Sequence, residues 1–367
     1  MELYPLRFES IYVTRVWGGR RLEQLGRRLP PDVPIGESWD VDDASRVSNG
    51  PLAGHTLAEL VPQLQATLVG RRVWDREGGQ FPLLLKLIDA TQALSVQVHP
   101  DDDYARAQGE PRGKTECWYV LDAVPGSELI HGMKVPADRA MLEQAIRENR
   151  LDEYLQHVPM VRGATIFVPA GTVHALCAGL VYEIQQRSDT TYRLYDWGRM
   201  GLDGKPRALH IAPSLDVLDY TLWPKHTAVP VPIPGELDRF YLAASRSFVL
   251  ELWIMSATTR WEVDPESFNL LTVVEGNLAV RYGEYGEEQI TLAYGETALI
   301  PAELGFTVLD PSPQCKVLRA YVPDLWMDVI CPLLDADTGR NDILQLGGYG
   351  SNNDLAPLMV GRRSRFC

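Results

Sequence analysis

The sequence predicts a mainly β protein made of two β-barrels with a few short helices, and three observations predict it. The stretch Gly163-Ala-Thr-Ile-Phe-Val-Pro169-Ala-Gly171-Thr-Val-His174 reads as a strand closed by a tight turn. Five residues of strand character are followed by Pro169 and Gly171, which reverse the chain and deliver an imidazole on the far side, as a barrel wall presents a side chain to its interior. From Phe81 onward, short apolar or alternating runs succeed one another at strand length. A second all-β block, from about Tyr241 to Val322, contains Gly295-Glu-Thr-Ala-Leu-Ile-Pro301, which repeats the Gly-x5-Pro opening with Phe306 where the histidine would fall.

Taken in order, the chain begins with a short strand at Ile11-Tyr-Val, a helix-like piece over 20–28 and a proline-rich loop. Asp42, Asp43 and Ser45 suit turn chemistry better than a metal or phosphate site. Leu57, Leu60, Val61, Leu64 and Leu68 recur at helical spacing, so 57–70 is expected as an amphipathic helix. Residues 81–88 form an apolar strand with Lys86 inside it, and Leu94-Ser-Val-Gln97-Val-His99 forms the next, ending in the acidic turn 101–103. Strands follow at 115–121 and 129–131, then helical spacing over 137–157 (Met141, Ala145, Ile146, Leu151, Tyr154, Leu155) predicts two short helices. Strands resume at 163 and 180–186, and the Pro-rich stretch 200–240 reads as a connector. The expected division is 1–235 for an N-terminal segment plus the first barrel, 236–322 for the second barrel, and 323–367 for a tail without an assigned role. That tail holds a helix near 325–334, a Gly/Asn-rich piece and the basic Arg362-Arg-Ser-Arg.

With 45% hydrophobic residues in 367, the chain can bury a sizeable core. Its net charge of −14, from 35 basic and 49 acidic residues, disfavours nucleic acid and anionic membranes as partners. An anionic substrate would have to meet a local cluster of Lys and Arg. Five cysteines, odd in number and without CxxC spacing, suit a reducing compartment. No apolar leader or membrane-spanning run is visible, so a soluble cytoplasmic protein, monomer or homodimer, is expected.

Gln97 and His99 lie two apart on a strand, so they leave from one face, with Ser95 beside them. Lys114 and Glu116 share a face by the same rule. Together with His174 they supply two imidazoles, a carboxylate and a carboxamide oxygen, which suits a catalytic divalent metal such as Zn²⁺. Singly, each signal is modest. A lone strand histidine is more often a surface or core residue, a strand carboxylate beside Trp118 is commonplace, and Lys86 could extend to a barrel rim. His55, His131, His157, His210 and His226 have no supporting context. The conjunction carries the reading.

The Pro-x-Gly-x-x-His turn resembles the second motif of the cupin superfamily, double-sheet jelly-roll barrels that commonly hold one metal. Four blocks in order are similar to the class I mannose-6-phosphate isomerase family: Leu94-Ser-Val-Gln-Val-His-Pro-Asp-Asp, Gly113-Lys-Thr-Glu-Cys-Trp-Tyr, Phe167-Val-Pro-Ala-Gly-Thr-Val-His-Ala, and the run from Tyr182-Glu-Ile-Gln-Gln-Arg-Ser-Asp to Trp197-Gly-Arg199. The resemblance covers about residues 8–322 and is densest over 81–199. Only 57 residues separate Glu116 from His174, too few for the helical domain of longer members, so the short bacterial form is the nearer match.

The resemblance implies two cupin barrels, the second having kept the fold and lost the metal, and one zinc ion held by Gln97, His99, Glu116 and His174. It implies a catalytic Arg193, with Glu183, Lys114 and Ser95 lining the substrate site. The implied reaction interconverts mannose 6-phosphate and fructose 6-phosphate through an enediol(ate), with zinc and Arg193 stabilising charge on oxygen. Glu183 is the first candidate proton carrier, with Lys114 or a metal-bound water next and an anchoring role for Glu183 as the bland alternative. Ser95, Lys86, Lys114 and Arg187 form the pool for the phosphate. Two other readings compete: an Fe-dependent cupin dioxygenase, and a non-catalytic sugar-phosphate-binding cupin.

Overall fold

In the computed structural model residues 2–225 and 227–360 are described; His226 and the basic run Arg362, Arg363 and Arg365, with Cys367, lie outside them. The molecule is mainly β, with several sheets. The first eleven strands are β1 (Ile11–Gly19), β2 (Ile35–Val41), β3 (Leu83–Ala90), β4 (Val96–Val98), β5 (Glu116–Ala123), β6 (Glu128–Met133), β7 (Leu155–Pro159), β8 (Thr165–Val168), β9 (His174–Ala175), β10 (Gly179–Gln186) and β11 (Tyr192–Tyr195). They form a six-stranded sheet in the order β1-β2-β3-β10-β5-β8 and a five-stranded sheet in the order β11-β4-β9-β6-β7. One hydrophobic cluster joins the two, with Ile88, Trp118, Val120 and Val181 from the first and Leu129 and Val158 from the second.

The other face of the six-stranded sheet is buried too. Leu83, Leu85 and Leu87 of β3, Cys117 and Tyr119 of β5, and Tyr182 and Ile184 of β10 pack into a larger cluster with Leu250, Leu270, Leu299 and Leu318. Those partners belong to an eight-stranded sheet made of β12 (Val231–Ile233), β13 (Asp238–Ala244), β14 (Val249–Met255), β15 (Thr259–Glu262), β16 (Asn269–Tyr282), β17 (Glu288–Leu292), β18 (Thr297–Ile300) and β19 (Phe306–Tyr321). A strand covered on both sides loses the apolar–polar alternation, which is why 81–88 reads as a continuous apolar run. Strand period still sorts its side chains: Leu85 and Leu87 face the second sheet system, and Lys86 faces the other way.

The repeated glycines occupy like positions. Gly163 (φ 84°) precedes the four-residue β8, and Gly295 (φ 79°) precedes the four-residue β18. Phe306 opens β19 and is exposed.

Several elements differ from expectation. The helix over 57–70 is two pieces, Leu57–Leu64 and Ala66–Val69, because Gln65 between them has φ 51° and ψ −135°. The second of the two short helices expected over 137–157 is a 3-10 turn, Leu151–Glu153, that runs directly into β7. A short apolar run offers no period to separate helix from strand there. The connector contains a helix, Ile211–Val217, and the strand β12. Asp42 and Asp43 do form a turn: the Asp42 carboxylate accepts from Ala44 N–H at 3.0 Å, and Ser45 Oγ accepts from Asp42 N–H at 3.0 Å. Among the described residues no helix is long and apolar enough to cross a membrane.

Candidate active site

The turn after β8 sets the position of His174. Thr172 N–H donates to Pro169 O at 3.1 Å, closing a turn in which Gly171 adopts φ 88°, as a type II turn requires at its third position. Gly171 N–H donates to His99 O at 2.8 Å, which fastens the turn to the end of β4. Register then aligns Arg193 with Gln97 and Gln97 with His174 across β11, β4 and β9. On the facing sheet Glu183 is paired with Lys86 on one side and Trp118 on the other.

These two rows bring His99, Glu116 and His174 together, with ligand atoms within 4.8 Å of one another and all three side chains buried. His174 Nε2 lies 3.1 Å from Glu116 Oε1, and His99 Nε2 lies 3.4 Å from Glu116 Oε2. Each imidazole donates its Nδ1 proton to a backbone carbonyl: His99 to Thr190 at 2.9 Å and His174 to Thr172 at 2.8 Å. Both Nε2 atoms therefore present lone pairs to the carboxylate. His99 Nε2 and Glu116 Oε1 have no hydrogen-bond partner. Three electron-pair donors aimed at one buried spot fit a divalent cation by the chemistry of the set. The Gln97 amide stands beside them, its Nε2 3.2 Å from His174 Nε2 and its Oε1 accepting from Ser95 Oγ at 3.3 Å.

Electrostatics support the same protonation states. Burial, aided by the Lys114 ammonium, lowers the His99 imidazole to about 3, so it stays neutral. Burial alone would raise Glu116, but the Lys114 ammonium, 2.8 Å away, holds it well below the usual carboxylate range. Burial would lower Lys114, yet Glu116 and Glu183 keep it above its ordinary value. Glu183 behaves in the opposite way: burial and the charge of Glu116 raise it, against the pull of Lys86 and Lys114. Its Oε2 accepts from the Trp118 indole at 2.9 Å, and its Oε1 lies 3.4 Å from Lys86 Nζ.

A cavity of about 600 Å³ adjoins this cluster through Gln97 and Lys114; Lys86, Ser95, Glu183 and Arg193 also line it, whereas His99, Glu116 and His174 do not. Arg193 is half-buried, its Nε donating to Ser95 Oγ at 3.2 Å and its Nη1 to Ala208 O at 2.9 Å. Arg187 is not among the lining residues; its Nε sits 3.2 Å from Asp42 and 2.9 Å from Asp43. Arg187 leaves β10 just beyond its last residue, where alternation no longer dictates direction.

Sequence reasoning missed Arg15, Glu37, Asp189 and Arg207, which also line the cavity. Arg15 pairs with Glu37 at 2.8 Å, and Arg207 donates to Asp196 at 2.6 Å. Arg207 lies in irregular chain that carries no period. His210, set aside for want of context, accepts from Arg193 N–H through Nδ1 at 3.2 Å. His131 keeps its bland role: it is buried, held at about 4 by that burial, and donates to Phe167 O at 2.9 Å.

Comparisons with known proteins agree with this geometry. The family model for phosphomannose isomerase type I, catalytic domain, matches residues 6–121. The chain is 36% identical over 323 residues to the mannose-6-phosphate isomerase ManA of Bacillus subtilis, covering 86% of this chain and 99% of that one. It is 35% identical over 303 residues to the mannose-6-phosphate isomerase of Streptococcus mutans, covering 81% and 92%. The crystal structure of the mannose 6-phosphate isomerase from Bacillus subtilis superposes with a TM-score of 0.78 at 29% identity, over 87% of this chain and 99% of that one.

Proposed function

Because the chain belongs to the class I mannose-6-phosphate isomerase family, we propose that this enzyme interconverts mannose 6-phosphate and fructose 6-phosphate in the cavity beside Glu116, with one zinc ion. The observation that carries the reading is the convergence of two imidazole Nε2 lone pairs on a deprotonated, buried carboxylate. His99, Glu116 and His174 would hold the ion, with Gln97 turning its amide oxygen inward as the neutral fourth donor. When bound, the ion supplies fixed positive charge that favours negative charge on the sugar oxygens O1 and O2.

The side chains divide the remaining work. Glu183 takes the proton from C2 and returns it at C1 of the enediol(ate). A buried carboxyl shifted upward is suited to both directions of that transfer, and the Trp118 indole fixes its orientation. Lys114 remains an ammonium and is therefore a poor base; it adds charge beside the developing enediolate. Arg193, braced by Ser95, Ala208 and His210, presents the second fixed cation. Arg207 and Ser95 line the same cavity and receive the phosphate, with Arg15 and Lys86 adding positive potential. A volume of about 600 Å³ is in the range of small-molecule sites.

The same reading extends to architecture. The six- and five-stranded sheets close a cupin jelly-roll within 1–235, a degenerate second barrel spans 236–322 with β12 (Val231–Ile233) joined to its sheet from before that boundary, and 323–367 is an appended tail; the matched positions of Gly163 and Gly295 support this. A soluble cytoplasmic protein, monomer or homodimer, accords with the charge of −14. A relative 36% identical along the chain weakens the dioxygenase and non-catalytic readings. Metal analysis and a coupled isomerase assay test all three. Stoichiometric zinc with turnover is expected, both lost in His174→Ala. Iron without isomerase turnover would support the dioxygenase, no metal and no turnover a binding module, and a metal-free His174→Ala that still turns over would sink the zinc role.

A further inference from the structure

A second cavity, of about 480 Å³, shares no lining residue with the sugar cavity; Arg112 lines the one and Lys114, two residues on, the other. Four arginines line it, Arg76, Arg106, Arg112 and Arg246, against two carboxylates, Glu77 and Asp102. Asp103 and Asp354, paired with Arg106 and Arg246, bring the surrounding carboxylates to four, so what sets the site apart is a guanidinium edge left unspent. The arginines come from three separate parts of the fold: Arg76 from the helix Arg71–Glu77, Arg106 from the helix Asp102–Ala107 with Arg112 just after it, and Arg246 from the turn between β13 and β14. The carboxylates do not exhaust them. Arg112 is buried and spends Nε and Nη2 on the same Glu77 oxygen, at 3.1 and 2.8 Å, leaving Nη1 without a partner. Arg246 holds Asp354 through Nε at 2.7 Å, and Arg76 reaches Glu77 at 2.7 Å and Arg246 O at 2.6 Å.

We propose that this cavity is a second anion site, taking a phosphate dianion either free or as the end group of a small metabolite, and that its occupancy is transmitted to Lys114. Guanidinium groups in convergence match the geometry and charge of a phosphate. The transmission runs through Asp102. One carboxylate oxygen accepts from Gly113 N–H at 2.8 Å and from Gln186 Nε2 at 3.0 Å, while the other accepts from Arg106 at 3.3 Å. Gln186 also accepts from Thr115 N–H at 2.9 Å. An anion that draws Arg106 toward itself releases part of the Asp102 grip on the two residues flanking Lys114. Slack is not available there: a Cβ on Gly113 would meet the Asp101 carbonyl carbon at 2.4 Å, so the segment is pressed onto the helix start.

The reading concerns binding and does not depend on the isomerase assignment. Inorganic phosphate and glycerol 3-phosphate are titrated calorimetrically into the full-length, metal-loaded protein and its variants. Two phosphates per chain are expected in the wild type and one in either Arg207→Ala or Arg246→Ala. If Arg246→Ala misfolds, the exposed Arg106→Ala replaces it and is expected to bind one. Heat from phosphate alone identifies the free anion, and heat from both identifies a phosphomonoester site. A single phosphate per chain, lost in Arg207→Ala and kept in Arg246→Ala and Arg106→Ala, overturns the second site. Hydrogen exchange at Gly113 and Thr115 reads the coupling: phosphate is expected to change it in Arg207→Ala and not in Arg246→Ala, and unchanged exchange in Arg207→Ala overturns the transmission.

Discussion

Each sheet system buries charge, and the two do so in opposite ways. Within the eight-stranded sheet, Arg319 is paired: Nε donates to Asn269 at 2.6 Å, Nη1 to Glu251 at 3.1 Å, and its guanidinium carbon lies 3.9 Å from the centre of the Tyr321 ring. The Trp253 indole completes Glu251 at 2.6 Å. In the first sheet system, His99 Nε2, Glu116 Oε1 and Glu183 Oε1 are buried without hydrogen-bond partners. A closed polar network specifies structure, whereas buried groups left unpaired mark where a ligand is meant to complete them. The second sheet system therefore carries a plug where the first carries a socket.

Mutation can break that contrast, beginning with the largest effect. Glu183→Gln keeps the size of the socket and removes the proton carrier proposed for it; turnover in the coupled assay is expected to fall by about 10²–10⁴ with metal content unchanged. A loss of less than tenfold would return Glu183 to an anchoring role. Arg319→Met strands Glu251 in the plug and is expected to cost about 3–5 kcal/mol in denaturant unfolding, with normal turnover per folded molecule. Adding Glu251→Leu is expected to recover most of that loss; if it does not, the pair does more than neutralise itself. Arg187→Ala lies outside both regions. It is expected to leave KM and turnover near wild type and to cost about 1 kcal/mol or less, so a large rise in KM would restore it to the phosphate site.

Much of the socket was legible because strands impose it. Alternation alone put Gln97 with His99 and Lys114 with Glu116, and the Pro169–Gly171 turn told where His174 would emerge. Arg15, Glu37 and Arg207 were not legible, since their places depend on how β1, β2 and an irregular loop pack over the cavity. Arg187 misled for a related reason: two residues of acidic turn chemistry, Asp42 and Asp43, outcompete the cavity for it. The plug at Arg319 left no signal either, because an isolated strand arginine reads as solvated until its partners are known. At Gln65, a single backbone torsion overrode a helical pattern that was otherwise regular.

The six-stranded sheet has a working face and a supporting face one side chain apart. Tyr182 and Glu183 are neighbours on β10, the first packed with Leu270 and Leu318, the second lining the cavity. The half of the molecule to which we assign no chemistry thus lies one backbone beneath the half to which we assign it. A random screen for inactive clones will return lesions from both halves, and those at Leu270 or Leu318 will look like active-site defects although they lie on the opposite side of the wall.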